Sequence, residues 1–193
     1  MSRPDEVAIL SADRALSWRE LEEASDRLAG GYRGLGLEPG DRIASLMPNR
    51  VDLVVHYLAA FKAGLVVTPL NYRYTHREID HALTVSGAKL LVAHEERAED
   101  VAGSELASGL ELGTIVFADG EEPELGKGSA NPWHHSFAAL LASDPIASES
   151  AVDPGEPAAI FFTSGSTGPA KGVTHTRETL RWMIASAAAA FEL

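Results

Sequence analysis

The chain has 193 residues, 45% of them hydrophobic, enough for one large domain or two small ones around a real core. The 16 basic and 28 acidic residues give a formal charge of -12, which argues against nucleic acid or an anionic membrane surface as main partner but leaves room for an anionic small ligand in a local loop. Cysteine is absent, which excludes disulfides, thiolate metal sites and cysteine nucleophiles and fits a cytoplasmic enzyme. The opening MSRPDEVAILSADR has no long apolar run and no cleavage signal, so it does not read as a secretory leader. The stretch from Trp182 to Phe191 is mostly alanine and too short to span a bilayer.

In chain order, Ser17 and Glu20 form a capping box ahead of a helix carrying Leu21, Ala24, Leu28 and Leu35, which Gly34 and Gly36 stop. The turn Glu38-Pro39-Gly40-Asp41 leads into a short strand, Arg42 to Met47. A helix over Val51–Lys62 follows, with Lys62 read as a C-terminal charge suited to the helix dipole. Leu65 to Leu70 reads as a buried strand. Thr75 and Glu78 repeat the capping box before a helix with Ile79, Ala82 and Leu83, ended by Ser86-Gly87. Lys89–Ala93 and Thr114–Ala118 read as further strands. Strands alternating with helices predict an α/β fold: a layered, mostly parallel sheet with helices on both faces.

From Asp119 to Pro157 the chain is rich in Gly, Pro, Ser and acids, with one helical patch at Phe137–Leu141. We read it as an acidic surface excursion or hinge, 119–157, between an N-terminal α/β subdomain, 1–118, and the start of a second subdomain, 158–193. Ala158–Phe162 reads as a buried strand and Arg177–Phe191 as a helix. Trp18 and Trp182, at helical spacing among apolar neighbours, are expected to pack.

Ile160 to Val173 reads IFFTSGSTGPAKGV. A strand, a Gly/Ser/Thr loop and a helix form the physical recipe for holding phosphate. Glycines let backbone N–H groups approach, hydroxyls donate, a lysine supplies a point charge, and a helix N-terminus favours anions. The spacing is not that of a Walker A loop. Counting from Gly165 the second glycine falls on Ala170, and Gly172 follows Lys171 where Ser or Thr belongs. The plainer alternative is a flexible linker, which requires neither a preceding apolar strand nor a placed lysine.

IFFTSGSTGPAK, Ile160 to Lys171, resembles without a gap the AMP-binding signature of the adenylate-forming superfamily: acyl-CoA synthetases, luciferases and peptide-synthetase adenylation domains. LSWRELEEASDRLAGGYRGLGLEPGDRIASLMPN and AFKAGLVVTPLNYRYTHREIDHAL are similar to the family's opening segments. PLNYRYTHREIDH is more similar to acyl-CoA and aryl-CoA synthetases than to the P-L-D-P-x-Y-P wording of peptide synthetases. Two positions depart from the family. Ala170 stands where proline usually precedes the lysine, and Arg177 stands where many members carry histidine. His175 is not assigned that histidine's role.

The resemblance implies the N-terminal part of the large domain of an AMP-forming carboxylate–CoA ligase, of the kind used in fatty acid metabolism. ATP with Mg²⁺ and coenzyme A would be its co-substrates, and a small carboxylate its substrate. It places Thr163, Ser164, Gly165, Ser166, Thr167, Gly168 and Lys171 on the pyrophosphate end of ATP. It assigns no catalytic and no metal-ligating residue within this chain. The family's adenine, ribose and C-terminal lysine segments have no counterpart here. The chain is therefore expected to be inactive alone, to need the missing C-terminal part, and to self-associate through apolar surface left bare. The alternatives are a non-catalytic nucleotide-binding or partner-binding remnant, a peptide-synthetase adenylation fragment, and a P-loop NTPase, against which the failed Walker spacing speaks. His134-His135 and the cluster Glu121, Glu122 and Glu124 read as surface groups rather than metal or acid–base sites.

Overall fold

The computed structural model describes residues 3–11, 14–126, 131–147, 151–163 and 168–191. An N-terminal hairpin, β1 (Val7–Leu10) and β2 (Ala15–Ser17), runs directly into α1 (Trp18–Gly34). The hairpin was not legible in the sequence, because its strands are only 4 and 3 residues long. The expected capping box forms: Glu20 N–H donates to Ser17 Oγ at 3.3 Å, and the Glu20 carboxylate accepts from the Ser17 N–H at 2.8 Å. That carboxyl is held below its ordinary value, first by the Ser17 backbone bond and then by the Ser17 hydroxyl.

The chain then alternates as expected: β3 (Arg42–Leu46), α2 (Val51–Lys62), β4 (Val66–Pro69), α3 (His76–Ser86) and β5 (Leu90–His94). Two short helices, α4 (Ala98–Gly103) and α5 (Glu105–Ser108), precede β6 (Thr114–Phe117). β7 (His135–Ser136), α6 (Phe137–Leu141), β8 (Pro157–Thr163), β9 (Lys171–Thr176) and α7 (Arg177–Phe191) complete the order. Gly87 ends α3 at φ 60, a left-handed cap that a side chain would strain.

Seven strands form one sheet in the order β7-β6-β5-β3-β4-β8-β9, parallel throughout except for the antiparallel β8–β9 pair. Helices cover both faces. On one face Leu28 and Tyr32 of α1, Val55 and Ala59 of α2 and Phe137 of α6 pack on Ile43, Val67, Val92 and Ile115. On the other, Ile79 and Leu83 of α3, Val101 of α4 and Ala107 of α5 pack on Ala44, Leu46, Leu91 and Val116. Apolar β3 and β5, buried on both sides, are the strands that read as continuous apolar runs.

Some expectations are corrected. Trp18 and Trp182 are 45% and 69% exposed and do not pack in the core. Lys62 ends α2 as expected, but its charge serves more than the helix dipole. It is buried at 9% exposure, and its Nζ meets Asp26 at 2.7 Å and Glu22 at 3.0 Å, joining α2 to α1. Glu122 is more than a solvated turn residue: its carboxylate accepts from Ser136 Oγ and, at 3.0 Å, from Ala138 N–H, capping α6. His134 and His135 are part of the sheet edge. His134 Nδ1 lies 2.9 Å from Thr114 Oγ1, and His135 Nε2 lies 3.0 Å from Leu112 O.

Candidate functional site

The Thr163–Lys171 segment lies at the carboxyl edge of the parallel strands, the edge where open α/β sheets take their ligands. β8 carries the chain there beside β4, and β9 carries it back. Thr163 and Lys171 face each other in register across the mouth of this hairpin, and Thr163 Oγ1 lies 3.5 Å from Lys171 O. Both are exposed, as is Gly168. Among the described residues Lys171 makes no ion pair, which leaves its charge for an anion. Ser164, Gly165, Ser166 and Thr167 lie outside the described residues.

The expected helix does not follow the loop. β9 intervenes, and α7 starts only at Arg177. Its first amides are already committed: Arg177 N donates to Glu156 O at 3.2 Å, Glu178 N to Pro154 O at 2.9 Å and Thr179 N to Thr176 Oγ1 at 3.2 Å. The helix-terminus contribution to anion binding is therefore withdrawn, because those donors are satisfied within the chain. Hydroxyls, loop amides and the Lys171 charge remain.

Beside the hairpin runs a cleft of about 790 Å³ between α3 and the loop stem. Asn71, Tyr74 and Arg77 line one wall, and Phe162, Gly168 and Ala170 line the other. Glu78 and His81 stand at its base. The Glu78 carboxyl accepts from Thr75 N–H and Thr75 Oγ1, each at 2.9 Å, and these bonds, the backbone one first, hold it below the usual carboxylate range. The Tyr74 phenol is raised by burial and then by the Glu78 charge. His81 Nε2 lies 2.7 Å from Ala170 O. Sequence reading passed over His81. Its available signal was its position one step off the buried Ile79–Ala82–Leu83 face and four before Val85, which also meets the hairpin.

Farther along the same edge, a polar staple ties four loops. Arg50 holds Asp119 at 3.0 and 2.9 Å, His94 Nε2 lies 3.5 Å from Asp119, and Tyr72 donates to Glu96 at 2.8 Å. The Tyr72 phenol is pushed up to about 12, first by burial and then by Glu96, so it donates and does not ionise near neutrality. Among the described residues no three His, Cys, Asp or Glu side chains converge at metal-binding distance, and no helix is long and apolar enough to cross a membrane.

Residues 1–192 match the family model for AMP-binding enzymes. The chain is 36% identical over 183 residues to feruloyl-CoA synthase of Amycolatopsis sp, covering 93% of this chain and 32% of that one. It is 33% identical over 170 residues to phosphinothricin tripeptide synthetase PhsC of Streptomyces viridochromogenes, covering 88% of this chain and 14% of that one. The ATP-bound crystal structure of MatB from Rhodopseudomonas palustris superposes with a TM-score of 0.82 at 25% identity, over 98% of this chain and 35% of that one. The chain thus spans about a third of the length of feruloyl-CoA synthase and of MatB.

Proposed function

Because the chain belongs to the AMP-binding enzyme family, we propose that it is the N-terminal portion of an ATP-dependent ligase joining an acyl or aryl carboxylic acid to coenzyme A through an acyl-AMP intermediate. The observation that carries this reading is the hairpin mouth: Thr163 and Lys171 in register at the carboxyl edge of the sheet, with the Ser/Gly/Thr run between them. Thr163, Ser164, Gly165, Ser166, Thr167, Gly168 and Lys171 are the proposed contacts to the pyrophosphate end of ATP. The fit rests on chemistry present in the chain: a lysine without an acidic partner among the described residues, and flanking hydroxyl donors. Mg²⁺ is proposed to arrive as the counter-ion of the nucleotide, where it would offset phosphate charge.

In the first half-reaction a carboxylate oxygen attacks the α-phosphorus and pyrophosphate leaves. A loop that binds the leaving group speeds that step by positioning it and stabilising its growing negative charge. This chain's share is that cradle. The divisions 1–118, 119–157 and 158–193 are proposed as subdomain, connecting excursion and start of the AMP-binding subdomain. The bare apolar side chains of α7, including Trp182 and Ile184, are proposed to be covered by the remainder of the ligase or, in the isolated chain, by self-association. A cytoplasmic location and a role in acyl or fatty acid metabolism go with this reading. The similarity to PhsC supports a second one, a peptide-synthetase adenylation fragment.

Equilibrium binding tests the loop. Mg·ATP should bind the 193-residue chain, compete with pyrophosphate more strongly than with AMP, and lose about tenfold or more in Lys171→Ala, as expected for removing a charge-assisted contact. Binding indifferent to Lys171→Ala would sink the assignment.

A further inference from the structure

We infer that His81 is a positioning residue for the phosphate loop, acting through the peptide between Ala170 and Lys171. The inference rests on the reading of residues 163–171 as the pyrophosphate cradle.

The Ala170 carbonyl can only accept, so at 2.7 Å His81 Nε2 carries the proton and donates. A trans peptide is planar, with its C=O and N–H pointing in opposite directions. Fixing the Ala170 carbonyl therefore fixes the Lys171 N–H, aims it away from α3, and sets the direction in which the loop's lysine leaves the strand. A second contact supports the same stem two residues on. Gly172 packs so closely that a Cβ there would lie 2.9 Å from Ile160 Cγ2 and 3.1 Å from Val85 Cγ1, one helical turn beyond His81.

The base of this clamp is rigid. Ile79, Ala82 and Leu83 bury α3 against the sheet. Asp80 Oδ1 accepts from Ser104 Oγ at 2.6 Å and from Leu106 N–H at 3.0 Å, locking α3 to the start of α5. Arg97 donates to Tyr74 O at 2.7 Å and pins the turn before α3. A stem held by a locked side chain presents Lys171 in one orientation, and the cost of ordering that stem falls outside the binding step.

Two variants of the 193-residue chain test the idea, each first shown by its melting curve to be folded. His81→Leu keeps bulk and removes the donor. His81→Gln restores a donor nitrogen at similar reach. Mg·pyrophosphate affinity should fall about tenfold in His81→Leu and stay within about threefold of the parent in His81→Gln. Without ligand, amide hydrogen exchange across the stem, 168–172, should quicken in His81→Leu and return in His81→Gln. Parent-like binding or exchange in His81→Leu, or a His81→Gln variant that behaves like His81→Leu, overturns the proposal. A parent chain that binds no pyrophosphate overturns the cradle reading instead, and the exchange arm still decides the role of His81.

Discussion

Among single side chains, the buried pair Tyr32–His56 carries the clearest pH signature. Tyr32 Oη and His56 Nδ1 are 2.7 Å apart and fully buried between α1 and α2. Burial lowers the His56 pKa from 6.5 to about 3 and raises that of Tyr32. The folded protein thus keeps His56 neutral while the unfolded chain protonates it near its ordinary value. Between those two values the unfolded state binds the extra proton, so stability falls as pH drops from about 6.5 toward 3. His56→Gln should flatten that part of a plot of melting temperature against pH, and an unchanged slope would remove His56 as its cause. No local pattern pointed to this pair, because Tyr32 and His56 lie 24 residues apart on two helices. The same holds for His81 and Ala170, separated by 89. Lys171 was legible as a candidate because the motif that carries it is contiguous in sequence.

Apart from α4 and β9, helices and strands longer than about five residues were read from periodicity and caps, which are local properties. α2, α6 and α7 begin and end where the sequence signals put them. β9 was not, and the reason is physical: KGVTHT alternates weakly, most of its side chains stay accessible, and its partner β8 lies across a loop. Missing it led the N-terminus of α7 to be counted among the loop's anion donors. Gly30 shows where local propensity and packing disagree. Mid-helix, Gly→Ala usually gains about 1 kcal/mol. Here an added Cβ would overlap the Asp144 carbonyl oxygen, in a segment that Ile146 N–H already ties to Asp26 O at 2.9 Å. Backbone cannot step aside cheaply, so Gly30→Ala should destabilise by roughly 1–3 kcal/mol in chemical denaturation. A gain in stability would refute the close approach.

For the molecule as a whole, the α/β class and the two-sided helical cover followed from the alternation of elements, while strand order did not, since pairing is non-local. The chain spans about a third of the ligases it resembles. The proposed cradle would bind a leaving group, and no residue assigned within it orients an acid or an adenine. The purified 193-residue chain is therefore expected to show no carboxylate-dependent ATP–pyrophosphate exchange above a Lys171→Ala control. Exchange that depends on both the acid and Lys171 would show the reading of an incomplete site to be wrong. The net charge of -12 need not deter the nucleotide, because Lys171 acts at contact distance while distant surface carboxylates are screened beyond about 10 Å.

The seams of the sheet are unequal. β3 meets β4 and β5 through four registered pairs each, whereas β8 meets β4 through one, Val67 with Ala159. The outer unit of β8, β9 and α7 is held to the inner elements by more than that pair: Arg177 donates to Phe61 O at 3.0 Å, Phe161 and Leu180 pack against the core, and Val85 closes on Gly172. A pull on α7 would therefore load the Arg177–Phe61 bond and the Leu180 packing together with the β4–β8 seam.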